Sequence, residues 1–95
     1  MKLSFSKHAQ AKIAERRITE EMVTNALQDP EAKFYDTGSR AQVAIREVSQ
    51  QGLRLSLVVV FRRTNHVYHI VTAYPLKDAR DEAEKKVKIG RWIPI

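Results

Sequence analysis

Three apolar, strand-length runs, AQVAIREV, LRLSLVVVF and HVYHIVTAY, constrain this chain more than any other feature. Each is rich in β-branched and aromatic residues. They are separated by the turn-like clusters Ser49-Gln50-Gln51-Gly52 and Arg62-Arg63-Thr64-Asn65, so together they read as a consecutive antiparallel meander. The flanks have helical spacing. With 95 residues there is room for one modest core, so residues 1–95 are read as a single domain. The expected fold is α+β, with two N-terminal helices packed on a 3–4-stranded antiparallel sheet and a third helix at the C-terminus.

Leu3-Ser4-Phe5 reads as a short edge strand. Ser6 is a good N-cap for a helix running to about Arg17, with Ala9, Ile13 and Arg17 on one stripe and His8, Lys12 and Glu15 on the next. Thr19 caps a second helix. Its acids Glu20 and Glu21 suit the positive helix start, its buried face is Met22, Val23, Ala26 and Leu27, and Asp29-Pro30 ends it. Lys33 to Asp36 reads as a short strand and Thr37-Gly38-Ser39 as a turn.

Period-two alternation puts Val43 and Ile45 on one face and Gln42, Ala44 and Arg46 on the other. In the second run it separates Leu53, Leu55, Leu57, Val59 and Phe61 from Arg54, Ser56, Val58, Val60 and Arg62. One face is therefore expected to meet the helices through Ile45, Leu55, Leu57 and Val59, and the other to display Arg46, Arg54 and Arg62. The third run does not declare its inner face. Leu76 to Lys88 regains helical spacing, with Leu76, Ala79, Ala83 and Val87 in line and acid–lysine pairs four residues apart. The tail, Arg91-Trp92-Ile93-Pro94-Ile95, is apolar enough to dock on its own domain or on a partner, a second copy included.

Seventeen Lys and Arg against eleven Asp and Glu give a net charge of +6, which suits a partner bearing phosphates or carboxylates. The absence of cysteine excludes disulfides and a thiolate nucleophile. No apolar run approaches the roughly 20 residues of a membrane span, and Met1 to Phe5 lacks a secretory core, so a cytoplasmic protein is expected. No metal or cofactor is expected either. His66 and His69 should point to opposite faces of a strand, His8 has no neighbouring ligand, and the three glycines form no phosphate loop.

Arginines on a sheet, three histidines and three tyrosines suffice for RNA cleavage. A 2′-hydroxyl attacks the adjacent phosphate with the help of a general base, a general acid and cations that stabilise the phosphorane. Histidine's ordinary titration lies nearest neutrality, and arginine grips phosphate as a fork. His8 or His69 would serve as base or acid. Arg46, Arg54 and Arg62 would clamp phosphates, and Tyr74 would stack on a base or position the 2′-hydroxyl. Each has a plain structural alternative: an exposed His8, a hydrogen-bonded core His69, a packing Tyr74.

His8-Ala9, Lys12, the run Glu15 to Glu21, Val23, Ala26-Leu27 and Asp29-Pro30 together resemble the opening of a widespread family of small bacterial and archaeal domains. These begin with His-Ala, pass through a Glu-Arg-x-Ile-(Ser/Thr) helix junction and then enter a sheet. Leu55 to Val60 and Val67 to Tyr74 match its closing strands. The layout also resembles the BrnT toxins and, more remotely, the RelE/ParE toxins of the barnase–EndoU–colicin–RelE fold, over about residues 5 to 75. The resemblance implies a metal-independent endoribonuclease toxin acting on mRNA, free or on the ribosome, and neutralised by a cognate antitoxin. His8 matches the family's histidine, Lys12 and Arg16 or Arg17 its basic helix positions, and Thr72 and Tyr74 its strand end. Its basic C-terminal helix is echoed only loosely by Lys77 and Arg80, in a helix more acidic than an mRNA-binding surface. The other implied role is a non-catalytic module of the same fold, binding protein or nucleic acid through its basic face.

Overall fold

A computed structural model describes all of residues 1–95. The elements are β1 (Lys2–Phe5), α1 (Lys7–Glu15), α2 (Glu20–Gln28), β2 (Ala32–Asp36), β3 (Ala41–Gln50), β4 (Leu53–Thr64), β5 (Val67–Leu76), α3 (Ala79–Lys88) and β6 (Trp92–Pro94). All six strands join one sheet in the order β1-β5-β4-β3-β2-β6. The expected 3–4-stranded antiparallel meander is therefore corrected. β3, β4 and β5 form its middle, but β1 adds to β5 in parallel and β6 extends the far side beyond β2, making a mixed sheet. Strand partners of short terminal segments are set by tertiary closure, which periodicity does not encode.

The helices also differ from expectation, because they cover both faces. Ile18, Val23 and Ala26 join Ala44, Leu57, Val59, Phe61, Ile70 and Ala73 in one core beneath α1 and α2. Ala79 of α3 and Trp92 of β6 join Phe34, Ala41, Val43, Ile45, Val58 and Val60 in a second core on the opposite face. Leu57, Val58, Val59 and Val60 are consecutively buried for this reason. At roughly 1.5–3 kcal/mol per buried aliphatic side chain, β4 anchors both layers.

The register corrects the facial assignment as well. Ile45 lies opposite Val58 and Arg46 opposite Leu57. Ile45 therefore belongs to the α3 face and Arg46 to the α1–α2 face, whereas Arg54 and Arg62 alternate with Val58 and Val60. A one-residue difference in pairing moves every side chain to the other face.

Local chemistry accounts for the joints. Ser6 Oγ accepts from the Ala9 N–H at 3.0 Å and Thr19 Oγ1 from the Met22 N–H at 3.1 Å, capping α1 and α2. Gln51 and Gly52 both have positive φ, as a two-residue hairpin demands, and Asn65 (φ 55°) opens the β4–β5 turn. The tail docks on its own domain. Trp92 is buried and stacks on Phe34 at 5.1 Å, and Arg91 Nε donates to Asp36 Oδ1 at 2.5 Å. A side chain at Gly38 would collide with the Arg91 guanidinium.

Candidate nucleic-acid interface

The register gathers the start of β1, the end of β2, the β2–β3 turn and the β4–β5 turn at one end of the sheet. That end carries Lys2, Arg40, Arg62 and Arg63. Six other cations are paired: Lys12 with Glu15, Arg46 with Asp29, Arg54 with Glu47, Arg80 with Asp78, Lys86 with Glu82 and Arg91 with Asp36. None of the four at this end makes an ion pair. Asp36, at the end of β2, is buried and already held by Arg91. Four of the eleven lysines and arginines that make no ion pair thus sit together at this end.

Arg62 lies directly opposite His69, and His69 is aligned in turn with Ser4 of β1. Ser4, His69 and Arg62 form a row across three strands at spacings of about 4.8 Å. Arg62 and His69 are both exposed. Arg62 Nη2 donates to the Ser39 carbonyl at 2.6 Å, which directs the guanidinium along this rim. The next residue, Arg40, is in the left-handed region at φ 56°, an uncommon conformation for a bulky side chain.

On the other side of the β4–β5 turn, Arg63 is opposite Tyr68, and its guanidinium lies 5.0 Å over the ring. Arg63 Nε donates to the Asn65 carbonyl at 3.2 Å. Tyr68 in turn rests on Phe61, with centroids 5.5 Å apart.

The remaining predicted residues fall elsewhere. His8 is exposed on α1, above the opposite face from His69, so the two histidines do not meet. Tyr74 packs into the second core. Burial, Glu82 and Asp36 push its hydroxyl above the ordinary tyrosine value against the opposing pull of Arg16 and Arg91. Arg16 reaches the β5 edge beyond the end of β1, donating from Nη1 to the Ala73 carbonyl at 2.9 Å and to Thr72 Oγ1 at 3.3 Å. Through that nitrogen Arg16 caps the edge of β5. Arg17 is exposed at the end of α1, and Lys12 lies beside Glu15.

Arg54, Lys77 and Arg80 converge on a groove of about 570 Å³ between the β3–β4 hairpin and α3. Glu31, Glu47 and Asp78 line it too and balance their charge. The anticipated clamp of Arg46, Arg54 and Arg62 is not assembled. Arg46 is bonded to Asp29 at 2.8 Å on the other face, and Arg54 stands eight residues, about 27 Å, from Arg62 along β4. Lys2, Arg40 and Arg63 escaped the sequence reading because each lies at a turn or strand end, where no periodicity singles it out. No group of three His, Asp or Glu side chains is placed to hold a metal ion, and no helix is long and apolar enough to cross a membrane.

Fold and site together define a small α+β domain with a mixed sheet, covered on both faces and strongly cationic at one end. The chain belongs to the family described as domain of unknown function (DUF4258), whose model matches residues 5–75. The match ends inside β5, so α3 and β6 lie beyond it. No curated protein and no solved structure matches the chain.

Proposed function

We propose that this protein binds RNA through the cationic sheet end and cleaves it without metal at the Arg62–His69 row, as the toxin of a toxin–antitoxin pair. The observation that carries this is the direct cross-strand pairing of Arg62 with His69 among cations that no carboxylate neutralises. His69 would take the proton of a 2′-hydroxyl as its oxygen bonds to phosphorus. The bond from phosphorus to the 5′-oxygen then breaks, and that oxygen gains a proton from solvent. Arg62 would hold the phosphorane oxygens. The products are a 2′,3′-cyclic phosphate and a 5′-hydroxyl. The toxin role draws its support from the resemblance to BrnT-like domains, and the implied partners are RNA and an antitoxin that masks this surface.

Binding without cleavage is the second reading. It is favoured by the separation of His8 from His69 on opposite faces, which leaves the row with one histidine. The test is to incubate the purified protein with single-stranded RNA in chelator, and to induce it in a bacterial host with and without the adjacent open reading frame. Cyclic-phosphate ends and growth arrest, both lost in His69→Ala, support cleavage. Salt-sensitive binding without products leaves the module, and no binding removes both.

A further inference from the structure

We infer that the Arg63–Tyr68 stack is a nucleobase subsite, so that the RNA bound here is single-stranded and passes around the β4–β5 turn. The inference rests on the RNA-binding reading and names its substrate class. Met1, Lys2, Arg63, His66 and Tyr68 line a hollow of about 510 Å³ beside the turn. One wall is a ready-made plane, because Nε bonding to the Asn65 carbonyl and contact with the Tyr68 ring both fix the Arg63 guanidinium. Tyr68 is itself held by Phe61. A guanidinium stacked on one side presents its other side to a base, while its terminal N–H groups remain for a phosphate. Lys2 also borders the hollow, and no carboxylate lines it.

Arg62 and Arg63 are consecutive on β4, so their side chains leave opposite faces of the sheet. A strand whose phosphate rests on Arg62 and His69 reaches the hollow only by crossing the exposed turn at Asn65 and His66. A flexible single strand makes that bend readily, and its unpaired base is free to enter. A duplex keeps its bases stacked and offers only its backbone.

The experiment compares a fluorescent single-stranded oligoribonucleotide, the same strand with one abasic position scanned along it, and the matching duplex, over a salt series. Wild type is expected to bind the single strand at least about fivefold tighter than the duplex, and to lose a similar factor at one abasic position. Arg63→Lys keeps the charge but cannot stack, so it should keep the salt dependence and lose the abasic effect. Equal affinity for single strand and duplex with no abasic position mattering overturns the subsite and leaves the RNA-binding reading standing. Absence of salt-dependent binding to any of the three overturns both. Arg63→Lys retaining the abasic effect also overturns the stacking role.

Discussion

Arg62 of β4 and His69 of β5 stand directly opposite each other, both exposed, at the end of the sheet where Lys2, Arg40, Arg62 and Arg63 make no ion pair. If this pair is the reaction centre, His69→Ala should reduce RNA cleavage by about 10²–10⁴-fold while changing affinity little. Arg62→Lys should cleave more slowly than wild type at equal binding, since an ammonium lacks the bidentate fork. His8→Ala should cleave at the wild-type rate, because His8 rides above the opposite face. Product formation on denaturing gels, beside binding by anisotropy, measures all three. A defect in His8→Ala matching that in His69→Ala would move the centre to α1.

Salt dependence separates free cations from paired ones. With single-stranded RNA, four phosphate contacts give a slope of log affinity against log salt of about −3. Replacing Lys2, Arg40, Arg62 or Arg63 by Gln should each flatten it by about 0.7. Arg54→Gln and Arg80→Gln should leave it unchanged, because Glu47 and Asp78 already pair those side chains. If the last two variants flatten the slope and the first four do not, the interface lies in the groove beside α3.

The legible parts of this fold were those with local causes. The caps at Ser6 and Thr19, the turn at Gln51-Gly52 and the long runs of β3, β4 and β5 all follow from residues within a few positions of one another. β1 parallel to β5 was not legible, since Lys2–Phe5 and Val67–Ile70 lie more than sixty residues apart. Val58 and Val60 looked like the apolar middle of an exposed face only because nothing in Leu76–Lys88 or Trp92 says where it will dock. At the site, His69 and Arg62 were visible as residue types, but their adjacency needed the strand register. Arg46 and Arg54 looked equally suited, but Arg46 lies on the other face and pairs with Asp29, and Arg54 lies at the far end of β4 and pairs with Glu47.

Arg17 offers a test of stability against function. It follows the last turn of α1 at φ 58°, with its N–H bonded to the Ala14 carbonyl at 3.1 Å and the Ile18 N–H to the Ile13 carbonyl at 2.8 Å. This helix ending favours glycine, and a side chain there costs roughly 1 kcal/mol. Arg17→Gly should therefore raise the melting temperature by about 4–8 °C, with the RNA salt slope unaltered. A flattened slope would restore Arg17 to the interface.

The tail anchor gives the pH dependence of folding. Burial acts to raise the Asp36 carboxyl, but Arg91 and the Gly38 and Ser39 N–H groups outweigh it and hold the value at about 2, below the ordinary 3.8. Because the folded value is the lower one, its contribution is complete above the unfolded value of 3.8 and is lost as pH falls through it toward 2. With Arg91 partly exposed, that contribution is on the order of 1–2 kcal/mol. Asp36→Asn should melt below wild type at pH 7 by roughly 4–15 °C, and the gap should close as both are titrated from pH 4 to pH 2. Calorimetry at matched ionic strength measures it. A gap that stays constant down to pH 2 would mean that the loss comes from the turn's geometry and not from the Asp36 charge.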